Sequence, residues 1–371
     1  MILKNALIYD ENFEIQRADI LVEGEYIIKI AKTIDGENII DLENRTLLPG
    51  FIDIHIHGCN GGDMNDASEK SLGKMSSYLA KNGVTSFCPA SMTLPFEEIQ
   101  KSFEVVESYK GKECGAYIHG INMEGPYISD EKKGAQAGDH IRKPDFNEFR
   151  DLHEISSVKL VDMAPEVEGA FEFARAASEI CTVSVAHTNA SYYTTKNAFE
   201  NGFTHATHLF NAMPPIYNRK PGAVTAVFDN ERVTAELICD GYHLDPAIIR
   251  MAFKLLGEDR AVVVSDAMKA AGLKDGDYVL GGQTVYVRHG EARLSNGAIA
   301  ASTTNMFTEF KNLLDYGIEF KIALKACTIN PARVINKNIH TGSLSAGKMA
   351  DIIAVDNDLN LDMVMVSGKI M

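Results

Sequence analysis

The chain has 371 residues, 45% hydrophobic and 23% charged, which is ordinary for a globular protein and far from a disordered or fibrous one. Its 36 lysines and arginines against 51 aspartates and glutamates leave a net charge of −15. That argues against nucleic acid or an anionic membrane as partner, because both need clustered cationic side chains.

The first 48 residues read as β. Short β-branched runs at 6–9, 19–22 and 27–30 are separated by turn signals such as Glu23-Gly24-Glu25. Asp41-Leu42 and Leu47-Leu48 then lead into Pro49-Gly50, a break in the pattern. Beyond it, apolar strands alternate with helical stretches. The pattern predicts strands over 51–57, 85–89, 116–123, 158–164, 182–186, 205–208, 234–238 and 261–265. It predicts helices over 69–82, 97–108, 167–179, 191–201 and 246–256. Repeated strand–helix units imply a parallel sheet, and eight of them match a (β/α)8 barrel in count and size. Residues 277–298 interrupt the alternation with three short β runs joined at Gly281-Gly282 and Gly290, read as a hairpin insertion. Helices return at 306–316 and 320–329, and β runs close the chain at 352–355 and 363–366. The expectation is an α/β chain: a barrel over 49–336, and a small sheet domain in which 1–48 pairs with 337–371.

Residues 1–10 carry no apolar core of signal-peptide length, and no run reaches the ~18–20 apolar residues of a membrane span. The six cysteines are scattered with no Cys-x-x-Cys pair, as expected of reduced thiols in a cytoplasmic protein.

In an α/β barrel, ligand-handling groups sit at the C-terminal ends of the strands. The first predicted strand ends in His55-Ile56-His57, and residues i and i+2 of a strand share a face, so both imidazoles point the same way. Glu124, His187, His208 and Asp266 end later strands. A single such group is usually a hydrogen-bonded structural residue. Five strand ends bearing them are hard to obtain from solvation alone, and the set suits zinc, iron or manganese. His205 shares a strand with His208 at i+3 and reads as structural. His119, His140, His153, His289 and His340 lack this setting.

The segment Pro49-Gly50-Phe51-Ile52-Asp53-Ile54-His55-Ile56-His57-Gly58 resembles the opening motif of the amidohydrolase superfamily. Met123-Glu124-Gly125-Pro126, Ala164-Pro165-Glu166, Ala186-His187-Thr188-Asn189-Ala190 and Thr207-His208-Leu209-Phe210-Asn211-Ala212-Met213-Pro214 narrow the likeness. With Lys132-Lys133-Gly134, Asp240-Gly241-Tyr242-His243, Ser265-Asp266-Ala267-Met268 and Asn330-Pro331-Ala332-Arg333, they resemble the N-acetylglucosamine-6-phosphate deacetylase family in order along essentially the whole chain. The resemblance implies a (β/α)8 barrel with a small β-sandwich built from both termini.

It further implies that Glu124, His187 and His208 are the principal metal ligands. His55 and His57 allow a second ion bridged by Glu124, so one or two ions per subunit remain open, zinc or iron first. Asp266 is implied as the catalytic proton shuttle. Asn211, Ala212, Arg219, Asp240, Gly241, Tyr242 and His243 are implied as substrate-binding, with Arg219 reaching a neighbouring subunit's site in a homodimer. Ile299-Ala300-Ala301 matches a substrate loop with alanine where the family has glycine. Ala135-Gln136 falls where the family usually has a histidine, and glutamine can donate a hydrogen bond but cannot carry a proton charge. The implied activity is hydrolysis of the acetamide of a phosphorylated amino sugar, in amino-sugar metabolism. Two alternatives stay open. A cyclic-amide hydrolase on the same scaffold is opposed by the Asn211-Ala212-Met213 and Asp240–His243 segments. A metal-free structural barrel should have lost the ligands that this chain keeps.

Overall fold

A sheet of eight strands gathers both ends of the chain. Its order runs Lys369–Ile370, Leu361–Val366, Ile352–Val355, Thr46–Pro49, Ile2–Tyr9, Ile15–Glu23 and Tyr26–Ala31, with Ile39–Asp41 also paired to Ile2–Tyr9. The computed structural model describes residues 1–371. Thr46–Pro49 and Ile352–Val355 pair antiparallel, so the start and finish of the chain share one ladder. Leu3, Ile8, Ile20, Leu47, Ile352 and Met365 form an apolar core of their own there.

The middle of the chain builds a curled parallel sheet. Phe51–Ile56 pairs with Val84–Pro89, and the run Ile121–Glu124, Val158–Met163, Thr182–Val185, Phe203–Ala206, Thr234–Leu237 and Ala261–Val263 follows in sequence order. Ser91 N–H donates to Asn122 O at 2.9 Å between the two groups of strands. Past Ala261–Val263, Asp266 N–H donates to His55 O and His57 N–H to Ala267 O, both at 2.9 Å, returning the last strand's continuation to the first.

Several boundaries differ from the pattern-based expectation, each for a local reason. The predicted strand 116–123 is two pieces, Tyr117–Ile118 and Ile121–Glu124, which pair with different neighbours. Gly120 sits at the step, where a Cβ would lie 2.4 Å from Ser157 O. The predicted strand 205–208 is Phe203–Ala206, because His208 at φ +29° has left the extended region. The predicted helix 167–179 is Ala170–Ala177, begun after Gly169 at φ +89°. The helix Phe146–Ile155 was not anticipated, although its signal is present: Asp145 caps Asn147 and Glu148 N–H, and Phe149 and Leu152 bury one face.

The segment after Asp266 contains a three-stranded antiparallel sheet, Gly276–Leu280, Gln283–Arg288 and Glu291–Arg293. Gly281 and Gly282, both at positive φ, form the tight turn between the first two strands. No helix is long and apolar enough to cross a membrane.

Candidate active site

The C-terminal ends of the parallel strands converge on two carboxylates. Glu124 Oε1 lies 3.0 Å from His187 Nε2 and 3.1 Å from His208 Nε2, and Oε2 lies 3.3 Å from His57 Nε2. Asp266 Oδ1 lies 3.3 Å from His57 Nε2 and 3.8 Å from His55 Nε2. Potential ligand atoms therefore fall into two adjoining sets, Glu124–His187–His208 and His55–His57–Asp266.

Backbone geometry aims three of these groups. His187 (φ +42°), His208 (φ +29°) and Asp266 (φ +45°) all occupy the left-handed region, which costs about 1–3 kcal/mol at each non-glycine residue. Cross-chain hydrogen bonds hold them there. Ser129 N–H donates to His187 O, Glu236 accepts from His208 N–H, and Asp266 bonds His55 O and Ser302 N–H.

A second layer fixes which imidazole nitrogen faces inward. His57 Nδ1 meets Ala90 O at 3.2 Å, and His187 Nδ1 meets Lys132 O at 2.9 Å. A carbonyl only accepts, so Nδ1 carries the proton and Nε2 is turned to the carboxylates. His55 Nδ1 meets Glu236 Oε2 at 3.0 Å with the same consequence.

The electrostatics of this cluster call for positive charge. Burial opposes charging of His57, yet hydrogen bonds to Asp266 and Glu124 push it up to about 10. Burial likewise opposes ionisation of Glu124, but hydrogen bonds from His187, His208 and His57 hold it well below the usual range. Asp266 is held down against burial by its hydrogen bond to His57 and by the His55 and His57 imidazoles beside it. Burial alone pushes a carboxyl lacking such partners upward. Asp162 next to Glu124 in the ladder rises to about 7, with Glu236 and Glu124 adding to the burial effect despite the opposing pull of His55. A divalent cation would take the place of the Nε2 protons that these hydrogen bonds require, and the converging Nε2 atoms, the ionised buried carboxylates and the buried, unpartnered Nε2 of His55 fit one.

Above the cluster lies a cavity of about 310 Å³. It is lined by His57, Glu124, His187, His208 and Asp266 on its floor, and by Ala135, Gln136, Asn211, Ala212, His243, Ile299 and Ala301 on its walls. His55 lies directly beneath and is fully buried. Asp240 stands behind the wall, accepting from His243 Nδ1 at 2.8 Å and from Tyr242 and His243 N–H. Gly241 (φ +82°) and half-exposed Tyr242 shape that loop without lining the cavity. Ala300 points into the core, and its N–H donates to Ala292 O, so it too does not line the cavity. Ala301 at φ +59° adopts the conformation that glycine takes most readily. Gln136 is buried, with Oε1 accepting from Thr93 N–H at 2.7 Å and its amide NH2 turned to Glu124 Oε2.

Arg219 is not in this cavity. It is exposed and lines a separate one, of about 500 Å³, with Tyr192, Tyr193, Tyr217 and Lys220. Sequence reasoning missed Met92, Leu280 and Ala298 in the lining, apolar residues with no distinguishing local signal. It also missed Asp53, Asp162 and Glu236 beneath the site, all fully buried. Their signal was available: each is a carboxylate inside a short, largely apolar parallel strand.

An amidohydrolase family model matches residues 46–371. The N-acetylglucosamine-6-phosphate deacetylase of Lysinibacillus sphaericus is 32% identical over 377 residues, covering 100% of this chain and 97% of its own. The crystal structure of the Pasteurella multocida N-acetylglucosamine-6-phosphate deacetylase superposes with a TM-score of 0.93 at 32% identity, covering 100% of this chain and 99% of that one. A mutant of the Mycobacterium smegmatis enzyme, solved in complex with N-acetyl-D-glucosamine-6-phosphate, gives 0.93 at 30% identity over 100% and 98%.

Proposed function

The chain belongs to the amidohydrolase family, and from that premise we propose that it hydrolyses the acetamide of N-acetyl-D-glucosamine 6-phosphate to D-glucosamine 6-phosphate and acetate. The observation that carries this reading is the floor of the 310 Å³ cavity, where Glu124, His187 and His208 converge beside an ionised Asp266. The consecutive order of the parallel strands, with both edges bonded, supports reading the curled sheet as a (β/α)8 barrel over 49–336 with an insertion near 277–298. The shared ladder of the termini supports a small β-sandwich domain from 1–48 and 337–371.

Glu124, His187 and His208 would hold one divalent ion, and His55, His57 and Asp266 a second, with zinc or iron suited to this donor set. Bound there, a divalent cation polarises the amide carbonyl and lowers the pKa of a water. The chain's own residues supply the rest. Asp266 is ionised and accepts a proton from the attacking water as its oxygen bonds to the acetyl carbon. The carbon–nitrogen bond then breaks, and Asp266 returns the proton to the departing amine, leaving acetate and the free amino sugar. Gln136 cannot shuttle a proton. Its carbonyl end is occupied by Thr93 N–H and one amide N–H faces Glu124 Oε2, so only the other amide N–H is left to meet the substrate. Asp240 holds His243 through Nδ1, which turns Nε2 to the sugar.

Arg219 suits the phosphate, since a guanidinium engages phosphate bidentately. Its exposure, with exposed Ile216 and Tyr217 beside it and outside its own chain's cavity, supports a homodimer in which it completes the partner's site. The test is an acetate-release assay on N-acetyl-D-glucosamine 6-phosphate alongside metal analysis of the purified protein. Acetate release that vanishes on chelation and returns with added metal is expected. No release from metal-replete protein would overturn the reading.

A further inference from the structure

Glu236 lies on the strand Thr234–Leu237, one layer below the cavity, and no part of the mechanism above uses it. It is fully buried. A buried carboxylate is tolerated only when its lone pairs are satisfied, and this one is held from three directions. Oε2 accepts from His55 Nδ1 at 3.0 Å and from His208 N–H at 3.1 Å. Oε1 accepts from His205 Nε2 at 3.3 Å, and His205 Nδ1 in turn meets the Thr234 hydroxyl at 2.6 Å.

One carboxylate thus touches both ligand sets. A carboxylate accepts only, so His55 must place its proton on Nδ1, which leaves Nε2 bare toward Glu124 at 3.6 Å and Asp266 at 3.8 Å. That Nε2 has no hydrogen-bond partner of its own. The nearest rival for the Nδ1 proton is Asp162 Oδ2, at 4.0 Å. The bond to His208 N–H also props a histidine whose φ of +29° is unfavourable.

We propose that Glu236 is a positioning residue that locks His55 in the Nδ1-protonated tautomer and thereby sets the cation affinity of the His55–His57–Asp266 group. The inference rests on the metal-dependent reading above. Outer carboxylates that orient a ligating histidine change metal affinity by about 10- to 100-fold when lost. Glutamine is the informative replacement, because it keeps shape and one acceptor while removing the charge.

The experiment titrates metal-stripped full-length protein with Co(II) and follows cobalt absorption and bound-metal stoichiometry in the parent, Glu236→Gln, His55→Ala and the double variant. Two binding events are expected in the parent. Glu236→Gln should weaken by about 10- to 100-fold the event that His55→Ala removes, leave the other within a few-fold, and add nothing in the His55→Ala background. A Glu236→Gln protein that binds both ions like the parent, or weakens both equally, would overturn the proposal. So would a parent that binds a single ion. Should the variants not fold, nitrogen-15 spectra of the metal-loaded parent decide the point: His55 protonated on Nδ1 supports the proposal, and protonation on Nε2 overturns it. Two-step binding without acetate release would sink the functional reading and leave this inference standing.

Discussion

The strand ends of the parallel sheet and the sheet made by the chain termini bury side chains of opposite character. At the strand ends and just beneath them the fully or nearly buried groups include Asp53, His55, His57, Glu124, Asp162, His205, Glu236 and Asp266. The terminal sheet closes instead over Leu3, Ile8, Ile20, Val22, Leu47 and Ile352. Three cluster residues at the first region hold left-handed backbone, whereas the core positions of the second lie in ordinary extended strands. The difference separates two tasks. Apolar burial supplies folding free energy at about 25 cal/mol per Å², while buried charge and strain cost stability and persist where chemistry needs them.

Asp266→Asn tests that separation most severely. It should lower kcat by about 10²- to 10⁴-fold, the usual share of general acid–base catalysis, with the ion of the Glu124–His187–His208 set retained. Retained turnover would remove the proton-shuttle role. Ile20→Ala, in the terminal core, should do the converse. It is expected to cost about 2–5 kcal/mol in urea unfolding, with unchanged kcat per folded molecule. A catalytic defect there would show that the two regions are not separable.

Arg219→Ala asks whether an exposed loop belongs to the first region. KM for the phosphorylated sugar should rise by about 10- to 100-fold, from the ~1.5–3 kcal/mol of a charged hydrogen bond, and KM for the unphosphorylated sugar should not. Equal effects on both substrates would refute the phosphate contact.

Glu309 gives the smallest effect and sharpens the contrast within one residue type. Like Glu124 and Glu236 it is buried, but no imidazole faces it, and it accepts only from Cys239 N–H. Burial, with Asp240 nearby, raises its carboxyl well above the usual range. Burial acts on Glu236 too, yet the adjoining His55 and His205 imidazoles, both hydrogen-bonded to it, hold it down. A raised folded-state value means that the stabilising contribution of Glu309 is complete below the unfolded value of about 4.3 and is lost as pH rises through the folded one. Glu309→Gln should therefore change stability by under about 1 kcal/mol in acid and gain on the parent as pH rises. Parallel stability–pH curves for the two proteins would show that Glu309 ionises normally.

Much of the active end was legible in the sequence because strands and strand ends are local features. Short strand-like runs closing on His55, His57, Glu124, His187, His208 and Asp266 can be read from local residue types and spacing. The same local logic located the Gly281-Gly282 turn. It failed where a glycine or a left-handed residue redirected the chain, at Gly120 and His208, since a short-range pattern does not report φ.

What the sequence by itself determined was the alternation of strands with helices, the polar residues at the strand ends and the family likeness. Each of these is written in residue types a few positions apart. The tertiary structure alone decided that Thr46–Pro49 pairs with Ile352–Val355, that Met92 and Leu280 wall the cavity, that Arg219 lies outside its own chain's cavity, and that Glu236 joins His55 to His208. These are meetings of segments separated by about thirty to three hundred positions. They arise from curling the sheet and burying its faces together, and no local periodicity encodes which distant side chains that packing brings within hydrogen-bonding distance.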